Sequence, residues 1–399
     1  MTTKWRTLLL LALAELLGIS LWFSASAVVP DLTKVWGLSD GGKAWLTMSV
    51  QVGFVAGTLI SAVFNLADII PAHRFFAGSA LMAGVANALI PAFVNSLGPA
   101  LALRFATGML LAGVYPVGMK LMATWTKADR GLGIGLLVGA LTVGSAAPHL
   151  INGFGDLPWQ TVVWSASGLA LLGGIIAIVG VREGPYRAKS ARFNPRFALQ
   201  ALTERGVRLA NFGYLGHMWE LYAMWAWIPL FLLFSFELVG VAASWAAVAA
   251  FAVIAIGGVG SLLAGVLADR MGRTTLTIGS MAVSGVCALT IGALFGANPW
   301  LLVGVSLIWG FAVVADSAQF SACVSELSPP EYMGSALTLQ TSLGFLLTLF
   351  SIRIIPPAVD LVGWRFAFMV LAIGPALGIW AMLALRRAPE AALLAGGRG

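Results

Sequence analysis

The chain has 399 residues, 59% of them apolar and only 10% charged, and its formal charge is +7. A soluble protein carries about 25% charged residues, so this composition excludes a string of ordinary soluble domains. The basic residues sit in short loops between apolar runs, a pattern of membrane insertion rather than of a nucleic-acid surface.

The apolar runs are roughly 20 residues long, enough to cross about 30 Å of hydrocarbon at 1.5 Å per residue. Barrel strands would be about half as long and would alternate in polarity. Twelve spans are predicted at 7–29, 43–65, 74–94, 98–122, 130–154, 158–181, 209–234, 242–268, 274–295, 299–324, 333–356 and 360–385. Lys4 and Arg6 precede the first run, and Ala25-Ser26-Ala27 imitates a signal-peptidase site. That run is long for a signal core and Glu15 interrupts it, so it reads as a retained span. Cys287 and Cys323 both lie in apolar runs, with neither a disulfide framework nor metal-ligand spacing, and read as small core residues.

A basic loop follows span six, with Arg182, Arg187, Lys189, Arg192, Arg196, Arg205 and Arg208 against Glu183 and Glu204. It divides the expected architecture into a bundle at 1–181, a cytoplasmic linker at 182–208 and a second bundle at 209–399. With the N-terminus inside, the cytoplasmic side gains Lys4, Arg6, Arg74, Lys120, Lys127, Arg130, the linker, Arg270, Arg273, Arg386, Arg387 and Arg398. The other side gains Lys34, Lys43, Arg365 and Arg353. This asymmetry predicts an integral protein of a bacterial inner membrane with both termini cytoplasmic.

The halves also look related. The charged turn Gly265-Val266-Leu267-Ala268-Asp269-Arg270-Met271-Gly272-Arg273 has a worn copy at Phe64–Arg74, with Asp68 and Asp269 201 residues apart. Asp156-Leu157-Pro158-Trp159 opens span six as Asp360-Leu361-Val362-Gly363-Trp364 opens span twelve. Gly108 matches Gly310, and Trp22 matches Trp225, at offsets of 202 and 203. Such an ordered series predicts two parallel repeats related by an axis along the membrane normal.

These features resemble the major facilitator superfamily. Its loop signature after span two or eight is a Gly, then Asp-Arg, then Gly-Arg, matched by Gly265, Asp269, Arg270, Gly272 and Arg273. Its Arg-x-x-x-Gly pattern in span four is matched by Arg104 and Gly108. The resemblance implies an all-α membrane fold of twelve helices in two pseudo-symmetric six-helix bundles. Spans one, four, seven and ten would line a central cavity, flanked by two, five, eight and eleven. Asp68 and the Gly265–Arg273 turn would gate the cytoplasmic face. The first loop departs from the pattern, with Phe64, Pro71 and Ala72 at the usual Gly, Gly and Arg. Span five has Gly135, Gly139 and Gly144, but Pro148 follows Ala147, which departs from the antiporter signature. Spans two and eight lack the arginines of nitrate porters. In flavour the chain is similar to the bacterial cyanate-permease-like subgroup.

A charge inside hydrocarbon costs a few kcal/mol or more, so each intramembrane ionisable group is a functional candidate. Glu15 shares a face of span one with Gly18 and Trp22 and reads as a proton acceptor or substrate contact, or else as a buried structural acid. Span seven presents Tyr214, His217, Glu220, Met224 and Trp227 on one face. His217 falls opposite Glu15 under the repeat; with Glu220 one turn on, the two would share a proton or touch substrate. Arg104 and Tyr115 share a face of span four, and Arg104 must bind an anionic substrate group or pair with Glu15 or Glu220. Asp316 lies mid-membrane on span ten with Gln319 one turn on. Arg353 on span eleven is either a second anion-binding arginine or a snorkelling one. Lys120 reads better as solvated or phospholipid-facing than as a site. The glycines from Gly131 to Gly139 read as a close-packing or sliding surface; no strand or Gly-Lys-Ser/Thr makes them a phosphate loop.

The function expected is secondary active transport of a small solute by alternating access, proton-coupled, leaning to uptake of an organic anion or zwitterion. A monomer in membrane lipid is expected, with no cofactor, no metal, no nucleic acid and no enzymatic site. One alternative is a proton-driven exporter of hydrophobic or toxic compounds, suggested by the aromatic, Met-lined face of span seven. The other is a membrane-embedded sensor.

Overall fold

The computed structural model describes residues 3–126, 130–155, 157–186, 194, 196, 199 and 202–398. Lys127, Asp156, Arg187, Lys189 and Arg192, used above for sidedness and the repeat, lie outside the described residues. Helices fill the described chain, and eleven of them are long and apolar enough to cross a membrane alone. These are spans two to twelve. The remaining crossing is span one, whose first helix stops at Ile19 after 17 residues.

Span one then turns through residues 20–25, forms a short 3-10 turn at Ser26–Val28 and resumes as a helix at Val29–Trp36. Spans four and ten are also broken. Span four runs Leu97–Leu111 and Tyr115–Trp125, and span ten runs Pro299–Ala315 and Ser317–Leu327. Span seven is continuous from Arg205 to Leu238, with Pro229 inside it. The second half therefore does not repeat the break of span one.

The repeat has a packing basis. A Cβ at Gly108 would collide with the Val50 carbonyl, and one at Gly310 with the Val253 carbonyl. Gly57 meets the Met109 carbonyl as Gly260 meets that of Phe311. Within each bundle, the second and fourth spans thus touch backbone to backbone, which only glycine permits. Between the bundles, span five (Arg130–Asn152) lies along span eight (Ala243–Met271). A Cβ on Gly139 would sit 3.2 Å from the Gly258 carbonyl oxygen, and one on Gly258 3.1 Å from that of Gly139. The sliding surface read from the span-five glycines is this seam.

The turn between spans eight and nine depends on Gly272, whose φ of +89° disfavours any side chain. Its counterpart after span two (Asp40–Val63) has another shape: Asn65 is left-handed, and a short helix at Leu66–Ile69 follows.

Candidate functional site

Breaking span one frees backbone carbonyls at membrane depth, and these must find donors inside the protein. Arg104 supplies them. It is fully buried, and its guanidinium donates to the carbonyls of Leu21 (2.7 Å), Trp22 and Leu46 (3.3 Å). It also reaches Ser24 Oγ at 3.1 Å and Asn87 Oδ1 at 3.2 Å. The expected pairing of Arg104 with Glu15 or Glu220 does not occur. Carbonyls, not an acid, occupy the guanidinium. Ser20 adds bonds to the Leu17 and Ala166 carbonyls, and Asn87 also holds Ser167. The serines at 20, 24 and 26 accompany this interruption, Ser24 bonding the Leu21 carbonyl and Ser26 pairing with Thr47.

A vestibule of about 510 Å³ opens at the face that carries Thr3 and Arg386. Its wall comes from spans two, four, five, nine, ten and eleven, with Asn65, Lys120, Arg273, Gln319 and Glu326 among its polar groups. The opposite end is closed by aromatic rings from both bundles. Trp22 meets Tyr222 and Phe345 at centroid distances of 5.8 and 5.4 Å, Phe54 meets Phe345 at 4.7 Å, and Phe23 meets Trp225 at 6.0 Å. Beyond the rings, Thr348 Oγ1 donates to Gln51 Oε1 at 2.8 Å, another tie between bundles.

None of the nine residues expected to bind substrate or proton forms part of the vestibule wall. Glu15 is fully buried, packs against Gly118, and neither carboxyl oxygen has a partner among the described residues. Tyr115 opens the second helix of span four beside the wall residue Pro116. Trp22 belongs to the aromatic plug, and Met224 is wholly buried in the core.

His217 and Glu220 do not join each other. His217 Nδ1 lies 2.9 Å from Asp316 Oδ1, an ion-pair distance but off the line of a good hydrogen bond, and its Nε2 has no hydrogen-bond partner among the described residues. The Glu220 carboxylate instead accepts from Ser284 Oγ and Trp309 Nε1, both at 2.7 Å. Neither group is an arginine or a histidine, so the proton-sharing pair read from the spacing is corrected. The i+3 spacing was right for one helix face, but neighbouring helices divide that face between them. Arg353 is exposed on span eleven (Pro330–Val362), in a furrow on the outside of the bundles, away from the vestibule.

At the open face, Lys120 Nζ bonds Asp68 Oδ1 and the Ala67 carbonyl, so it is neither free nor lipid-facing. In the other bundle, Arg273 grips Glu326 through Nε at 2.7 Å and Nη2 at 2.5 Å, and donates to Gln319 at 2.7 Å. Asp269 is a looser neighbour at 3.7 Å from Arg273. Gly265 is buried in span eight, and Arg270 is exposed. Glu326 was missed in the sequence because it lies in another helix, 53 residues from Arg273. Among the described residues, no cluster of three metal-ligating side chains occurs.

Two six-helix bundles around a one-sided vestibule, closed at the far end by rings from both, define a polytopic membrane protein of repeated architecture. The model of the Major Facilitator Superfamily matches residues 10–352 and 210–399, and the chain belongs to that superfamily. It is 30% identical over 191 residues to the niacin transporter NiaP of Acinetobacter baylyi, covering 45% of this chain and 40% of that protein. It is 32% identical over 141 residues to the putative niacin/nicotinamide transporter NiaP of Bacillus subtilis, covering 35% and 34%. The gentisate transporter of Corynebacterium glutamicum is 27% identical over 124 residues, covering 30% and 28%. The chain thus spans less than half the length of the curated relatives it matches. The proton:xylose symporter XylE, solved with 6-bromo-6-deoxy-D-glucose, superposes with a TM-score of 0.70 over 95% of this chain and 94% of its own. At 18% identity this likeness concerns the fold alone.

Proposed function

We propose that the chain is a secondary active transporter that carries a small organic acid by alternating access, with protons as the coupling ion. The observation behind transport is the vestibule open at one face and sealed at the other by rings from both bundles, with glycine-lined backbone contact between them. Rocking along that seam would open the aromatic end and shut the vestibule. The Lys and Arg bias assigns the vestibule face to the cytoplasm, which makes this conformer inward-open and leaves both termini inside.

A volume of about 510 Å³ suits a small metabolite. The wall's Asn, Gln, Lys and Arg favour a polar solute over hydrophobic compounds for export. Niacin and gentisate, named for the relatives, are both aromatic carboxylic acids, so an aromatic monocarboxylate is the substrate class put first. Glu15 is the proton site in this reading. A buried carboxylate with no hydrogen-bond partner among the described residues is costly, and taking up a proton removes that charge.

Proteoliposomes holding the purified protein test this with labelled nicotinate. Uptake should rise when the outside is made acidic and collapse when a protonophore is added. Flux that ignores the imposed gradient would remove proton coupling. Absence of nicotinate and benzoate counterflow would remove the aromatic-acid class.

A further inference from the structure

On the lipid-facing side of the second bundle, Trp219, Leu347, Phe350, Arg353, Ile354 and Pro357 line a furrow of about 660 Å³. Its only charge is Arg353, which has no ion pair or hydrogen bond among the described residues. The Trp219 indole N–H is already spent on the Val370 carbonyl at 3.1 Å, so that residue offers the furrow a ring rather than a donor. We propose that this furrow holds one membrane phospholipid, with its phosphodiester on the Arg353 guanidinium and an acyl chain along Leu347 and Phe350.

Depth and shape argue for it. Span eleven has 33 residues, about 50 Å of helix against about 30 Å of hydrocarbon. Arg353 lies nine residues before the end of that helix at Val362, which puts its Cα a few ångströms inside the boundary. Its side chain reaches headgroup level from there. Phe350 and Leu347 lie about one and two turns deeper on the same helix, and Phe350 is 69% exposed. A cation at the headgroup plane above an apolar channel complements a phospholipid, whereas a free anion would use only the cation.

The place also matters. One Arg353 nitrogen lies 3.9 Å from where a Cβ on Gly41 would stand, in the first turn of span two and so in the other bundle. The neighbouring Asp40 is held by Lys43 at 2.8 Å, which offsets its charge. A headgroup on Arg353 therefore bridges the two bundles at their closed end and favours the conformer seen here.

Native mass spectrometry with dioleoyl phosphatidylglycerol reads the site directly. The wild type should retain one lipid that Arg353→Gln binds roughly tenfold more weakly, the loss of about one charge-assisted hydrogen bond. Arg353→Lys should fall between them. A Lys34→Gln control should bind as the wild type does. Unchanged elution and melting of Arg353→Gln in lipid-free detergent would exclude a folding defect. Equal lipid retention by Arg353→Gln and wild type would overturn the proposal. So would displacement of the lipid by excess inorganic phosphate, which would make this a free-anion site.

Discussion

His217 meets Asp316 at the break in span ten, Nδ1 to Oδ1 2.9 Å apart, while 202 residues earlier the Glu15 carboxyl has no hydrogen-bond partner among the described residues. Asp316 is likewise 202 residues after Val114, so the first bundle has a valine where the second has an acid. The contact beside it repeats too. Glu15 packs on Gly118, and His217 on Phe320, with ring centroids 5.4 Å apart. One fold position thus holds an acid–base pair in one bundle and a lone acid in the other. Removing Asp316 leaves His217 without its buried partner, and a buried polar group left unsatisfied costs about 1–3 kcal/mol. Asp316→Ala should therefore melt well below wild type, and adding His217→Leu to it should recover part of the loss. A single mutant that melts with the wild type would show that the pair contributes nothing to stability.

The same asymmetry separates two acids that look equivalent in the sequence. Glu15→Gln should abolish concentrative uptake while counterflow exchange of unlabelled for labelled nicotinate survives. Glu220 is anchored by Ser284 and Trp309, so Glu220→Gln should keep gradient-driven uptake and lower thermal stability instead. The amide retains one acceptor oxygen but turns an N–H toward a donor, a loss of about 1–3 kcal/mol. Gradient-driven uptake lost in Glu220→Gln and kept in Glu15→Gln would reverse these assignments.

The spans, their number and the two related halves were legible because hydrocarbon thickness and backbone-on-backbone glycine contacts constrain sequence locally. Gly108 and Gly310 carry that constraint in single residues. The site was less legible. Arg104, His217 and Glu220 were recognisable as buried polar groups, but their partners sit on other helices. Periodicity tells which residues share a face, and not what faces them. Arg104 is the sharpest case: its type points to an anionic substrate group or an acid, whereas its partners are carbonyls, two of them at Leu21 and Trp22 where span one is broken. The serines that accompany the break have no signature distinct from ordinary helix-facing serines.

The charged turns call for a revised view of gating. The better-preserved signature around Asp269 suggests the stronger latch, yet Asp269 is 58% exposed and 3.7 Å from Arg273. Glu326 holds the same arginine through two short bonds, and Asp68, only 22% exposed, is engaged by Lys120. Exposed ion pairs contribute about 0–1 kcal/mol, whereas a bidentate Arg–carboxylate pair contributes more. Glu326→Gln and Asp68→Asn should each shift the accessibility of a cysteine placed at Thr58, on the vestibule wall, more than Asp269→Asn does. A larger shift from Asp269→Asn would restore the span-eight turn as the principal latch.

Arg104→Lys tests whether the break in span one is held or merely tolerated. Lysine keeps the charge but presents one ammonium in place of a planar fork. That single group cannot serve the carbonyls of Leu21, Trp22 and Leu46 together with Ser24 and Asn87. Leu21 keeps the Ser24 donors, but the Trp22 carbonyl loses its guanidinium bond, and a buried carbonyl left without a donor costs about 1–3 kcal/mol. Because Trp22 and Phe23 lie on the broken segment, the aromatic plug should loosen with it. The expected outcome is a lower melting temperature together with new labelling of a cysteine placed at Thr348, just beyond the plug. An Arg104 acting only as a counter-charge would be replaced by lysine with neither change, so a variant that melts and labels as wild type would refute the structural role.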